Sequence, residues 1–471
     1  MKNKERYIWI TILVVVISVF SMLYLANPAQ SENENSSSYL YGRIFEETYK
    51  LIRNNYVDPQ KADVKTLYFG AIDGLMRSLE DEHTSFLPPK VWKELREGLD
   101  GQFEGLGIHI GLKDHLLTVI SPIEGSPAFK AGLRPNDIIY KIEGKITKGI
   151  TLVEAVNKLR GPRGSKVTIT IVRSGETQPF DVTITRDVIK VPSVRFDIIG
   201  DTGYIRIIQF QRNATSELRN AIKTLYKRGM KKLILDLRNN PGGYLGKATD
   251  IVDLFISKGR IVSSKGRVSM DNQEYFAHAF NTICRDTPLV VMINNGSASA
   301  SEIVAGAIQD THRGIVVGEK SYGKGSVQRV IPLSSGEEEF GLKLTTAFYY
   351  TAANRLIHGK GIVPDIVIKE PEIKIEEILA QKLIENKKLL KNFLNKNRRP
   401  TEAQVAAFHA QLMKMNLPVS LRILHRLIYM EQHKMELPPV YDLKWDVQLT
   451  EALKIFKTKP QLFKRPVIAC N

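Results

Sequence analysis

Three short, unbroken apolar runs constrain this chain more than any other feature: Lys232-Leu-Ile-Leu-Asp-Leu237, Leu289-Val-Val-Met-Ile-Asn294 and Ile315-Val-Val-Gly318. Runs of about four to eight residues rich in branched side chains read as fully buried strands. The first leaves through Arg238-Asn-Asn-Pro-Gly-Gly-Tyr244 into a helix expected from Leu245 to Phe255. The second leaves through Asn295-Gly-Ser-Ala-Ser-Ala-Ser-Glu-Ile303 into a helix with Ile303, Val304, Ala307 and Ile308 on one face. Buried strand followed directly by helix is an α/β pattern. At 471 residues the chain is too long for one ordinary core and suggests about three units. Its 43% hydrophobic content is that of a globular protein.

The two strand exits carry the parts of a nucleophilic site. Ser299 falls at a strand-to-helix junction, where helix N-terminal amides converge and favour developing negative charge. A serine hydroxyl needs a base, and Lys324 follows 25 residues on between Gly323 and Gly325. A lysine serves as base only when neutral, which requires a desolvated, apolar setting. Gln328, four residues further, can orient the amine without adding charge. The Gly242-Gly243 turn can leave backbone N–H groups pointing into open space, as an oxyanion hole requires. Taken singly, each piece is equally a packing run, a helix cap or an exposed turn. Their combination points to peptide-bond hydrolysis.

Asp236-Leu-Arg-Asn-Asn-Pro-Gly-Gly243, Gly296-Ser-Ala-Ser-Ala-Ser-Glu302 and Gly323-Lys-Gly-Ser-Val-Gln328, in this order, resemble the carboxyl-terminal processing proteases, also called tail-specific proteases. The resemblance implies Ser299 as nucleophile, Lys324 as base and Gln328 as its assistant. It implies an oxyanion hole from the amides of Ala300 and the Gly242-Gly243 turn, with Ser297, Ser301 and Ser326 in support. The implied fold is α/β, a crotonase-like ββα protease core with an inserted PDZ domain and flanking helical segments.

The segment before the core is similar to a PDZ domain. Phe103-Glu-Gly-Leu-Gly-Ile-His-Ile110, Gly125-Ser-Pro-Ala-Phe-Lys-Ala-Gly132, Asp137-Ile-Ile-Tyr-Lys-Ile142 and Leu159-Arg-Gly-Pro-Arg-Gly164 carry the likeness. It implies that Gly105, Leu106, Gly107 and Ile108 hold a peptide's terminal carboxylate through consecutive amides, the peptide adding as a strand at a sheet edge. The substrates expected are proteins or peptides with free C-termini. His109, alone in an alternating strand, reads as structural.

The expected organisation is an N-terminal anchor and linker over 1–38, helices over 39–100, the PDZ domain over 101–190, the protease core over 191–370 and a helical region over 371–471. Ile44, Thr48, Leu51 and Ile52 keep helical spacing, as do Leu67, Ala71, Leu75 and Leu79. Leu79-Glu-Asp-Glu-His-Thr-Ser85 departs from the family's Leu-Asp-Pro-His-Ser type of motif. Asp446-Val-Gln-Leu-Thr-Glu-Ala-Leu453 resembles the family's terminal helix, and roughly 380–440 reads as an added helical hairpin. Its stripe of Leu421, Leu424, Leu427 and Ile428 is read as intramolecular packing ahead of a subunit contact, and a homo-oligomer stays open.

Lys2, Lys4 and Arg6 precede an apolar run from Tyr7 to Ala26, long enough to span a bilayer, and an acidic, polar stretch follows it. The positive-inside rule puts the body in the periplasm or outside the cell. A cleaved, secreted form is the rival, with poor matches to a cleavage site. The net charge of +17 is spread along the chain with no nucleic-acid motif, so no nucleic acid is expected and anionic lipid headgroups are the fitting partner. Cys284 and Cys470 exclude a disulfide framework and leave one pairing open. No Cys/His cluster has metal-ligand spacing, so neither metal nor cofactor is expected. Two other classes fit less of the chain: an inert PDZ scaffold that only binds tails, which a serine-reactive acylating probe would expose, and an acyl-transfer enzyme on the crotonase-like fold.

Overall fold

The computed structural model describes residues 31–113, 116–123, 125–336, 338–433 and 439–463, in two units, Met1–Phe86 and Leu87–Asn471. The expected anchor over Tyr7 to Ala26 lies outside the described residues, and among those residues no helix is long and apolar enough to cross a membrane. The first unit contains helices Ser31–Asn55 and Val64–Arg77. The Asp63 carboxylate caps the second, accepting hydrogen bonds from the Lys65 and Thr66 amides. Tyr39, Leu40, Tyr41, Ile44 and Leu51 are all exposed on the first.

The second unit opens with helix α1 (Pro89–Asp100), started by proline and ended by Gly101 at φ 69°. An antiparallel sheet follows in the spatial order 108–113, 116–122, 138–142, 166–172, 180–185. Its edge strand is β1 (Ile108–Lys113), and helix α2 (Leu152–Leu159) packs Ala155 and Leu159 onto Leu117, Val119, Ile139 and Ile169. A Thr151–Glu154 capping box starts that helix. The strands that lead in and out, Gln102–Gly105 and Asp187–Lys190, pair with one another.

The largest core surrounds a six-stranded sheet in the order 194–199, 202–207, β2 (Lys232–Asp236), β3 (Leu289–Ile293), β4 (Ile315–Gly318), 366–367. The first pair is antiparallel and the remaining pairs are parallel. Successive side chains go to opposite faces. Leu233, Leu235, Val291 and Ile293 meet helices Ala214–Lys227, α3 (Leu245–Asp253) and α4 (Ala300–Asp310). Ile234, Val290, Met292 and Val317 meet helix α5 (Val447–Thr458) through Leu449, Ala452, Ile455 and Phe456. Burial on both faces is why the strands read as continuous apolar runs and not as alternating ones.

Antiparallel to one another, strands β5 (Ser326–Ser335) and β6 (Glu338–Thr351) form a long hairpin, and β6 also pairs with Arg260–Gly266. Helices over 375–386, 389–396, 402–414 and 421–432 share a separate core that includes Ala380, Ile384, Phe408, Leu412, Leu424 and Ile428. Leu424 and Ile428 of the expected stripe therefore pack within the chain, while Leu421 is exposed. Cys284 is a buried free thiol, and Cys470 lies outside the described residues.

Leu235→Ala, at a fully buried point of β2, is expected to cost about 2–5 kcal/mol in urea unfolding. A loss below about 1 kcal/mol would contradict the two-faced packing.

Candidate active site

Ser299 sits where β3 turns into α4, with φ 56° and ψ −114°, backbone angles that a non-glycine residue holds only when its surroundings enforce them. The enforcement is visible. Ser297 Oγ accepts from the Asn294 amide and donates to the Leu237 carbonyl at 2.8 Å, and Ser301 Oγ donates to the Asn240 carbonyl at 2.9 Å. The serines on either side of Ser299 thus staple its loop to the turn after β2. The Glu302 amide bonds to the Ser299 carbonyl at 2.8 Å, which starts the helix directly behind the serine. It stays half-buried at the helix N-terminus.

Glu302 is the residue that sequence reasoning left without a role. It is fully buried, and four donors converge on its carboxylate. Oε1 accepts from Ser321 Oγ and the Gly323 amide, both at 2.6 Å. Oε2 accepts from the Ser299 amide at 2.8 Å and the Lys324 amide at 2.9 Å. One oxygen therefore holds the backbones of Ser299 and Lys324 side by side. Burial pushes the carboxyl above its ordinary value, and the four donated bonds work against that rise. The signal in the sequence was an acid three residues into a helix, in a run otherwise of Ser and Ala, where a capping box places one.

The Lys324 loop is closed from below. The Tyr322 amide bonds to the Ser297 carbonyl at 3.0 Å, the Gly359 amide to the Gly323 carbonyl at 2.9 Å, and the Ile362 amide to Ser321 Oγ at 2.6 Å. A Cβ on Gly325 would stand 2.1 Å from the His358 nitrogen, so only glycine fits there. Gln328 lies on β5 just after a bulge between Val327 and Gln328. Its amide NH2 donates to Ser326 Oγ at 2.7 Å and more weakly to Thr345 Oγ1 at 3.5 Å, which directs it at the strand hydroxyls and leaves Oε1 as the acceptor for an amine. Bulges beside functional sites re-aim side chains in this way.

Of the two glycine amides expected at the oxyanion hole, that of Gly242 is already committed to Asn240 Oδ1 at 2.9 Å. The Phe210 amide bonds to the Gly242 carbonyl and the Tyr244 amide to the Phe210 carbonyl, so the Gly243 N–H between them points away from Phe210. A Cβ on Gly242 would lie 2.9 Å from the Ser299 Cβ and 3.1 Å from the Ala300 nitrogen, which sets this turn directly against the serine. Among the described residues the Gly243 and Ala300 amides have no acceptor of their own, which leaves them as the candidate donors beside Ser299.

Gly105 to Ile108, expected to hold a tail carboxylate, belong to the separate core of the inserted sheet. Gly107 has φ 75°, and a Cβ there would stand 2.4 Å from the Ser126 Cβ. The Leu106 carbonyl accepts from the Ala128 amide, and the Gly107 carbonyl accepts from the Ile123 amide and from Ser126 Oγ. The Leu106 and Gly107 carbonyls are thus tied inward at the head of edge strand β1, while Gly105 pairs with Asp187 in the ladder of Gln102–Gly105. A cavity of about 110 Å³ runs between β1 and α2, lined by Phe103, Leu106, Ile108, Ile110, Val156 and Leu159, with Arg160 at its rim. Arg160 lies over the Phe103 ring at 4.6 Å. His109 is exposed on β1. His312 is at the opposite end of α4 from Ser299, and His358 is exposed with its ring against Phe348. Among the described residues no cluster of His, Cys, Asp or Glu can hold a metal ion.

Residues 201–368 match the model of peptidase family S41, and residues 118–173 match a PDZ domain. The chain is 42% identical over 369 residues to a carboxy-terminal-processing protease of Bartonella bacilliformis, covering 76% of this chain and 83% of that one. It is 35% identical over 374 residues to a probable CtpA-like serine protease of Staphylococcus aureus, covering 78% and 74%. The solved photosystem II D1 C-terminal processing protease is 30% identical, with 69% of this chain and 92% of that chain covered and a TM-score of 0.40.

Glu302→Ala leaves four buried donors without an acceptor and is expected to cost about 3 kcal/mol or more in denaturant unfolding, against about 1–2 kcal/mol for Ser321→Ala. Equal losses below about 0.5 kcal/mol would remove Glu302 from the centre of the site.

Proposed function

The chain belongs to the carboxyl-terminal-processing serine proteases of peptidase family S41, and from that premise we propose that it cleaves substrates through an acyl-enzyme formed on Ser299, with Lys324 as base. The observation that carries this reading is the single Glu302 oxygen that accepts both the Ser299 and the Lys324 amides. In the scheme, the neutral Lys324 amine takes the proton of Ser299 Oγ as the oxygen attacks the scissile carbonyl. The carbonyl oxygen becomes an oxyanion between the Gly243 and Ala300 amides, at the positive end of α4. Collapse breaks the C–N bond, and the lysine ammonium passes its proton to the leaving amine. Water then attacks the ester, again losing its proton to Lys324; collapse breaks the bond to Ser299 Oγ, which takes that proton back from the lysine, and the acid product leaves. Gln328 Oε1 orients the amine without competing for the proton. Removing one oxyanion donor in such sites costs about 2.7–4 kcal/mol of transition-state stabilisation.

Substrate selection is assigned to the PDZ domain, proposed over 101–190, with the protease core over 191–370 read as crotonase-like ββα. A tail entering the cleft beside Arg160 adds as a strand to β1 and presents its carboxylate to the Gly105–Ile108 amides. The Tyr7 to Ala26 run is read as an anchor that keeps the enzyme in the cell envelope with its body in the periplasm or outside.

Ser299→Ala and Lys324→Arg are each expected to lower peptide turnover by about 10⁴-fold or more while leaving the folded chain intact. Arginine keeps the charge but cannot give up its proton at usable pH. Turnover retained in Lys324→Arg and lost in His358→Ala or His312→Ala would replace this scheme with a Ser-His mechanism. Long substrates with an amidated C-terminus are expected to show a KM raised about tenfold over their free-acid forms. Equal values would sink the carboxylate-binding role of the Gly105–Ile108 loop.

A further inference from the structure

The turn that carries Gly243 has a back as well as a face, and its back is built from the far end of the chain. Arg238 leaves β2 just before that turn and is 7% exposed, yet all five of its side-chain donors are engaged. Nε bonds Asp236 Oδ1 at 3.0 Å and Nη2 bonds Asp236 Oδ2 at 2.7 Å. Nη1 bonds Asp446 Oδ1 at 2.8 Å and Gln448 Oε1 at 3.0 Å, and Nη2 reaches Asp446 Oδ2 at 2.6 Å. Asp446 also caps α5 by accepting the Leu449 amide at 2.8 Å. Gln448, fully buried, donates to the Ile368 carbonyl at 2.7 Å. Asp236 is buried too, and accepts from Tyr204 OH at 2.7 Å. Burial raises its pKa, but the Arg238 charge and the donated bonds outweigh that and hold it below the ordinary value.

A guanidinium offers its donors in one plane, so two carboxylates on adjacent edges that share Nη2 fix both its position and its tilt. With Arg238 fixed, so is the backbone on either side of it. The Leu237 carbonyl receives Ser297 Oγ, and the Asn240 carbonyl receives the Ala298 amide at 3.0 Å and Ser301 Oγ. Asn240 in turn holds Gly242, next to Gly243, whose amide points away from Phe210. We propose that Asp446, with Gln448, is a positioning residue for peptide hydrolysis: through Arg238 it fixes the Asn239–Gly243 turn at the register that presents the Gly243 amide to Ser299. The inference rests on the reading of Gly243 and Ala300 as oxyanion donors. It makes the Asp446 and Gln448 side chains, beyond the 201–368 stretch that matches the family model, part of the active-site scaffold.

Without the Asp446 carboxylate the guanidinium keeps Asp236 but can pivot about it. A displaced oxyanion donor weakens the transition state and not the bound substrate, so the loss falls on kcat. An ångström of misplacement is worth about 10²-fold in rate. Asp446→Asn in the full chain keeps the helix cap and the volume but turns an NH2 toward the guanidinium. Its kcat is expected to fall about tenfold or more, with KM unchanged within about twofold. Leu449→Ala, which strips packing from the same helix without touching Arg238, is expected to lower Tm at least as far while kcat, measured well below Tm, stays at the wild-type value. Should Asp446→Asn fail to fold, Gln448→Met keeps the volume, removes one acceptor and is expected to lower kcat several-fold at constant KM. A wild-type kcat in these variants, or a loss that follows Tm in step with Leu449→Ala, would reduce α5 to packing and overturn the proposal. Ser299→Ala assayed alongside separates the two readings, since turnover persisting there would refute the serine scheme and not the Asp446 link.

Discussion

The site depends on one buried carboxylate. Glu302 takes four donors from two loops that are separate in sequence, and a single one of its oxygens joins the amide before the Ser299 side chain to the amide before the Lys324 side chain. Its burial alone would be costly, because a carboxylate removed from water must recover its lost hydration from fixed dipoles. Here those dipoles are backbone N–H groups and a serine hydroxyl whose own positions the exchange fixes. The same contact, with the bonds of Ser297 and Ser301 on either side, holds Ser299 in its unusual backbone conformation.

Around that contact the fold acts as a vice. Both faces of the central sheet are covered, so the ends of β2, β3 and β4 cannot shift independently, and the loops that leave them inherit that rigidity. From the helical face, Asn240 and the serines flanking Ser299 tie the β2 exit to the β3 exit. From the opposite face, α5 reaches Arg238. The inserted sheet is joined to this body through α1 and its contacts: Arg212 to Asp100, and Gln211 to the Gly98 carbonyl. The PDZ domain and the peptidase domain thereby have separate cores within one polypeptide.

The parts legible in the sequence were those written in local pattern. The three apolar runs became β2, β3 and β4 because burial on two faces leaves no other composition open to them. The helix expected to reach Phe255 ends at Asp253, with Leu254 and Phe255 buried in the exit turn, since an apolar run does not say where a helix stops. The motif resemblance gave the family and the residues to inspect. What it did not give was geometry. That the Gly242 amide is committed to Asn240, leaving Gly243, follows from a bond between two residues of one turn that no spacing announces. Glu302 could have been suspected from an acid inside a Ser/Ala run. The reach of Asp446 and Gln448 to Arg238, across about two hundred residues, carries no local signal at all.

The central claim is that Ser299, held beside Lys324 by Glu302, attacks a carbonyl whose oxygen is received by the Gly243 and Ala300 amides. The most direct measurement is a crystal structure of the enzyme with a peptidyl boronate, which forms a tetrahedral adduct on an active nucleophile. The account predicts boron bonded to Ser299 Oγ, one boronate oxygen about 3 Å from both the Gly243 and Ala300 nitrogens, and the Lys324 amine within hydrogen-bonding distance of Oγ. An adduct on another residue, or a Ser299 adduct whose oxygens leave both amides without a partner, would contradict it.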